Sequence, residues 1–285
     1  MLEDDSRARF AVLASGEDAS AVELDEAAVL VAAEYCPAVD LAAVRGQLDE
    51  LAHRALARLP AGADDHARLD ALVETLATDA GFCGNTREYH DPRNSFLNEV
   101  LSRRRGIPIT LSVVYMEVAR RIGLPLVGVS FPGHFLVRYP GPATPLILDA
   151  FSAGQKVSEA TLVQRLCRSA RGGLDRAEAR RMLARLLGGA SVREIVVRML
   201  ANLKAIFLEQ QDHERALVAV DRILLLAPDE PSEVWARAVL HHRLEAHRAA
   251  LADYRRYLDL MPEDPDGRAI REIIVDLTRR VEQLH

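Results

Sequence analysis

Cysteine is scarce in this chain. Cys36, Cys83 and Cys167 are far apart and odd in number, and none forms a C-x-x-C pair. That leaves no disulfide framework and no zinc pattern. A reducing cytoplasm is the compartment expected. Lysine is scarcer still: Lys156 and Lys204 are the only two, and the other 34 of the 36 basic residues are arginines. A coding-composition habit accounts for that bias before any binding surface does. No apolar run approaches the roughly eighteen residues a membrane helix needs, so no membrane association is expected. The N-terminal MLEDDSRARF is acidic and has no apolar core, which argues against a secretory signal. A net charge of −6 argues against generic affinity for nucleic acid. No cofactor is expected.

At 285 residues, 49% hydrophobic and 27% charged, the chain is long enough for two domains with real cores. Residues 6–14 predict a short helix, and Asp18 to Ser20 a turn and cap. A helix opens at Leu24 and is stopped by Pro37. A second is capped by Asp40, with Leu41, Val44, Leu48, Leu51 and Leu56 near helical spacing. A third starts at Asp64 or Asp65 and reaches about Asp79. These helices are amphipathic and read as cover for a core, without evident chemistry.

Gly81 to Pro92 is a loop. Its Cys83 reads as a small half-buried hydrophobe rather than a nucleophile, because no basic partner adjoins it in sequence. Asp91-Pro92-Arg93-Asn94 then starts a helix, with Phe96, Leu97, Val100 and Leu101 on one face. Arg103 to Arg105 suit the last helical turn, Gly106 the C-terminal glycine position and Pro108 the first turn of the next helix. That next helix, Ile109–Ile122, is apolar over most of its circumference and should be central and buried. Its N-terminus gathers free N–H groups that would lower the pKa of a thiol placed there.

Strands are expected over 126–131, 134–139 and 146–149, with a turn from Ala150 to Lys156. Pairing of the last two strands about a turn centred between 141 and 142 sets His134 opposite Asp149. The carboxylate could then orient the imidazole. A strand histidine and a strand-end aspartate that only cap local backbone are the plainer alternative. His134, Asp149 and Glu99 could instead hold a metal, but no H-x-x-x-H spacing supports it.

After a helix from Ser158 to about Cys167 and a loop at Arg171–Leu174, arginines are dense between 165 and 185. A solvated basic helix is the default reading and an acidic partner surface the sharper one. Leu186–Ser191 reads as a domain boundary. Beyond it the chain repeats at an offset of 34: Ala216 with Ala250, Pro228 with Pro262, Leu200 with Val234, Val220 with Tyr254. A 34-residue helix–turn–helix period with a small Ala and a terminal Pro is the tetratricopeptide pattern. His241 stands in the second unit where the first has the aromatic Phe207. Two units, about 197–230 and 231–264, are followed by a capping helix from Pro265. Such repeats usually bind proteins or peptides.

NSFLNEVLSRRRGIPITLSVVY, ARRIGLPLVGVSFPGHFLVR and LILDAF together resemble the transglutaminase-like domain of the SirB-type family of bacterial proteins, a domain also found in certain eukaryotic F-box proteins. The likeness covers roughly residues 20–165. It implies an α+β, papain-like core with helices packed on a small antiparallel sheet, over residues 1–187, followed by an all-α repeat region over 192–285. The wider superfamily places a Gly-x-Cys at the start of its central helix. Gly106-Ile107-Pro108 resembles that slot, and proline has no nucleophile to activate. His134 and Asp149 match the superfamily pair. Asn94, Glu99, Arg105, Ser112 and Tyr115 are expected to line the cleft. The resemblance implies a protein- or peptide-binding module without acyl-transfer chemistry. The alternative is a peptidase or amide-transferring enzyme that uses His134 and Asp149 with an unorthodox nucleophile such as Cys83, Thr110 or Ser112.

Overall fold

The computed structural model describes residues 8–13, 22–36, 38–141, 146–169 and 174–283. Among these, 22–199 form one compact unit, and 8–13 with 200–283 form a second. The expected turn at Asp18–Ser20, the stop at Pro37, and the segments 142–144 and 171–173 lie outside the described residues. Helix α1 (residues 8–13) opens the description.

In the first unit, α2 (Leu24–Ala33), α3 (Leu41–Leu56) and α4 (Asp65–Val73) follow. The sequence starts two of them in the same way. Asp40 accepts from the Ala42 N–H at 3.0 Å and Asp64 from the Ala67 N–H at 2.8 Å, each satisfying a donor that the helix cannot use. α4 continues as a π-helical turn, Glu74–Asp79. Two short strands, β1 (Cys83–Gly84) and β2 (Arg105–Gly106), pair in parallel and bring the 81–92 loop to the start of the central helix. The single helix expected after Asp91 is divided. A 3-10 turn, Pro92–Ser95, precedes α5 (Leu97–Arg103), because Phe96 between them is extended at φ −96°, ψ 121°.

Helix α6 (Pro108–Arg121) is buried at every position from Pro108 to Ala119. It covers one face of a four-stranded antiparallel sheet in the order β3 (Val127–Val129), β4 (Leu136–Tyr139), β5 (Leu146–Asp149), β6 (Gln155–Val157). Strand β6 lies where only a turn was expected. Alternation along the strands sends Val129, Leu136 and Ile147 to the other face. There they pack with Leu162, Leu166, Ala179 and Leu183 of α7 (Glu159–Ser169) and α8 (Arg176–Leu186). The boundary read at 186–191 is pinned to the sheet, since the Ala190 N–H donates to the Gly128 carbonyl at 2.8 Å.

The hairpin register differs from the one expected. Val137 pairs with Leu148, Arg138 with Ile147 and Tyr139 with Leu146, two residues away from a His134–Asp149 pairing. The cause is local. Phe131–His134 is a turn closed by the His134 N–H on the Phe131 carbonyl at 3.0 Å, with Gly133 at φ +70°. Pro132 and Gly133 occupy the positions that a type II turn assigns to proline and to a residue of positive φ. β4 therefore begins only at Leu136.

The opening helices carry more charge chemistry than their pattern suggests. Asp25 is fully buried in α2. It accepts from Arg45 Nε at 3.2 Å and from Arg121 Nη2 at 2.7 Å. Glu117, also buried, accepts from Arg120 Nη2 at 3.0 Å. This network ties α2, α3 and α6 together. Burial pushes the Asp25 carboxyl up, but the hydrogen bonds and charges of Arg45 and Arg121 outweigh it and hold it below its ordinary value.

Helix α9 (Val192–Glu209) carries the chain out of the first unit, and α10 (His213–Leu226), α11 (Pro231–Arg243), α12 (His247–Leu260) and α13 (Gly267–Gln283) complete the second. The 34-residue period extends to the main chain. Gln211 and Glu245 both have positive φ, at 59° and 57°. Asp212 N–H donates to Phe207 C=O as Ala246 N–H does to His241 C=O. The buried Leu203 and Ala219 of the first repeat are replaced at the same offset by Arg237 and Asp253, paired through Nε–Oδ2 at 2.8 Å and Nη2–Oδ1 at 2.7 Å. Helix α1 belongs here too, with Arg222 over the Phe10 ring at 5.5 Å.

Candidate functional site

His134 leaves the type II turn and Asp149 ends β5, so the two side chains meet although their backbones are out of register. His134 Nε2 lies 2.9 Å from Asp149 Oδ1. The ring N–H direction is off the line to the oxygen, leaving Nε2 without a well-aligned hydrogen bond. Asp149 is held firmly from its other side. Its Oδ1 accepts from the N–H groups of Phe151 at 3.1 Å and Ser152 at 3.2 Å, and its Oδ2 from the Ser152 hydroxyl at 3.1 Å. Burial pushes this carboxyl up, but the His134 ring and the Ser152 donors win and hold it below its ordinary value. Asp149 is therefore ionised at neutral pH beside the imidazole.

The turn carrying His134 is clamped by Arg198 of α9. Its Nη1 donates to the Ser130 hydroxyl at 3.0 Å, and its Nη2 to the carbonyls of Phe131 at 2.9 Å and His134 at 3.0 Å. Those acceptors are all neutral. Burial lowers the guanidinium pKa, with Tyr89 acting in the opposite direction. Aromatic rings form one wall. Phe151 meets His134 edge-on at 6.1 Å and Tyr89 at 6.0 Å. Phe151 also covers Gly84, where an added Cβ would run into the ring.

The expected site residues fall in several places. Pro108 is the first residue of α6. Tyr115 is fully buried with its hydroxyl unpartnered; burial pushes the phenol up, and Asp149 and Cys83 push it further. Tyr115 thus lies within the electrostatic reach of Asp149. Thr110 and Ser112 are buried, and neither hydroxyl has a hydrogen-bond partner among the described residues. Asn94 holds the loop before it: its Nδ2 donates to the carbonyls of Glu88 at 2.6 Å and Tyr89 at 3.2 Å, and its Oδ1 accepts from Asn85 at 3.1 Å. Arg105 turns outward to the Gly81 carbonyl at 2.8 Å. Glu99 lies in the field of Arg93. Cys83 is half-buried in β1. Among the described residues no three His, Cys, Asp or Glu side chains converge as a metal site would require.

Sequence reasoning missed Arg198, Phe151, Tyr89 and Ser152. Only Ser152 had a local signal, since an Asp followed three residues later by Ser is a side-chain-to-backbone turn pattern. Arg198 is 64 residues from His134, and nothing in its own segment marks it.

Proteins similar to this chain occur elsewhere. A family model described as the transglutaminase-like superfamily matches residues 42–201, and a tetratricopeptide-repeat model matches 203–274. The chain belongs to the transglutaminase-like superfamily, among the proteins grouped as UPF0162. A UPF0162 protein of Xylella fastidiosa is 41% identical over 218 residues, 76% of each chain. One of Vibrio cholerae is 31% identical over 257 residues, 90% of this chain and 92% of that one. The F-box only protein 21 of mouse is 31% identical over 184 residues, 62% of this chain but 28% of that protein. Among the described residues no helix is long and apolar enough to cross a membrane.

Proposed function

We propose that this chain is a SirB-type protein of the cytoplasm whose transglutaminase-like domain and repeats hold a protein or peptide partner without acyl-transfer chemistry. The supporting observation is the pairing of His134 with Asp149 at 2.9 Å beside a central helix that opens on Pro108. The orienting half of a Cys-His-Asp site is kept, and its nucleophile slot holds a residue with nothing to deprotonate. The hydroxyls of Thr110 and Ser112 are buried without partners, so neither is joined to the imidazole as a substitute. His134, at 20% side-chain exposure, is then a polar contact in a binding cleft.

The test compares the wild-type chain with Pro108→Cys. Iodoacetamide labelling of position 108 in the variant should depend on His134. The wild-type chain should release no ammonia from glutamine-containing peptides and should form no phosphonyl adduct with a fluorophosphonate probe. Turnover by the wild-type chain that is lost in His134→Ala would overturn the reading.

The second reading, an enzyme with Cys83 as nucleophile, draws on the common electrostatic neighbourhood of Cys83, Asp149 and Tyr115. Cys83→Ser decides it: any turnover found must vanish in that variant.

A further inference from the structure

Arg45, Arg103, Arg121 and Arg237 sit beside carboxylates. The arginines of the α7–α8 pair do not. Arg165, Arg168, Arg176, Arg180, Arg181 and Arg185 are exposed, and none has a hydrogen-bond or ion-pair partner among the described residues. Six unmatched cations on two short helices stand out in a chain of net charge −6.

The two helices also leave a groove. A cavity of about 1140 Å³ lies between them. Its floor is apolar: Leu183 is buried, and Val163, Cys167, Leu174 and Leu187 are half-buried. Arg168, Arg176 and Arg180 stand at its edge. The base of the groove is anchored, because Leu162, Leu166, Ala179 and Leu183 belong to the core beneath. Each helix has 11 residues, so the groove is roughly 16 Å long, or three helical turns.

We propose that this groove docks an acidic segment of another protein that also carries apolar side chains. The floor matches Leu-, Ile- or Phe-type anchors, and the unpaired guanidiniums match carboxylates that flank them. A nucleic acid fits less well. Among the described residues no aromatic side chain lines the groove for base stacking. Glu159 and Asp175 are among its lining residues, so the partner's carboxylates belong at the guanidiniums rather than at the two helix starts. Asp175 is also committed to the start of α8, where it accepts from the N–H groups of Ala177 and Glu178 at 2.7 and 2.8 Å. The site is separate from the His134 cleft, and each can fail alone.

The test is selection of random 16-residue peptides displayed on phage against the full chain. Enriched peptides are then synthesised and measured by fluorescence anisotropy. The expected result is enrichment of Asp or Glu together with Leu, Ile or Phe, with binding that weakens in high salt. Arg168→Gln/Arg176→Gln/Arg180→Gln, which keeps helix propensity, should weaken binding at least tenfold with an unchanged melting curve. Leu174→Glu, which puts a charge on the floor, should do the same. His134→Ala should leave the affinity unchanged. The proposal is overturned by enrichment without acidic residues, by no enrichment at all, or by equal binding to the triple variant. It is equally overturned if a 16-nucleotide single-stranded RNA or phosphatidylserine vesicles, and not the peptides, lose binding in that variant.

Discussion

Arg198 holds His134 by its backbone, donating from Nη2 to the His134 carbonyl at 3.0 Å while the same nitrogen reaches Phe131 at 2.9 Å. Replacing it with alanine leaves two carbonyls and the Ser130 hydroxyl without their donor. Arg198→Ala should cost about 1.5–3 kcal/mol of stability and broaden the His134 ring signals in NMR spectra. Arg198→Lys should recover little, because an ammonium cannot span three acceptors as a planar guanidinium does. Sharp, unshifted His134 signals in Arg198→Ala would show that the turn stands without the clamp.

Asp25 is a buried carboxylate between two arginines, so removing its charge takes a partner from each, while Arg45 keeps Glu23 and Arg121 keeps Asp49 and Glu117. Asp25→Asn should destabilise the first unit by about 1–3 kcal/mol, read by urea denaturation at pH 7.

The same residue gives a pH dependence with a definite sign. The carboxyls of Asp25 and Asp149 lie below their ordinary values in the folded chain. Their contribution is complete above the unfolded value of about 3.9 and is lost as pH falls through the lower folded values. Wild type and Asp25→Asn should therefore differ most near neutrality and converge in acid. Parallel stability curves down to pH 2 would contradict this.

The second repeat exchanges an apolar pair for an ionic one at Arg237 and Asp253. Arg237→Leu alone leaves a carboxylate that is 5% exposed without its bidentate partner, and should cost about 3 kcal/mol. Arg237→Leu/Asp253→Ala restores the chemistry of the first repeat and should return to within about 1 kcal/mol of wild type. A double-mutant cycle by thermal melting measures the coupling.

Gly84 has no room for a methyl group under Phe151. Gly84→Ala should cost about 1–3 kcal/mol through overpacking and displace the ring that borders His134. Near-ultraviolet circular dichroism and the His134 ring shifts would both move.

The parts of the fold that were readable in sequence are those built from neighbouring residues. Asp40 and Asp64 cap their helices and Pro108 opens α6 because local chemistry leaves few alternatives. The 34-residue offset was legible since each repeat is a local unit. Register was not, because the Phe131–His134 turn delays β4 by two residues and strand spacing alone does not reveal that. The buried charges of α2 were also hidden. Asp25 resembles an ordinary first-turn acid until α3 and α6 bring Arg45 and Arg121 to it. For the site, His134 and Asp149 were visible as a pair, whereas Arg198 enters only through tertiary contact.

Asn94 has one further consequence. Its side-chain amide ties Asn85, Glu88 and Tyr89 together, and its carbonyl accepts from Ile107 at the start of α6 at 3.3 Å. A loop stitched at three points to itself and at one to the start of the central helix is a fixed jamb rather than a hinged flap. On the reading proposed above, a partner entering beside Tyr89 meets a loop whose conformation is set before it arrives.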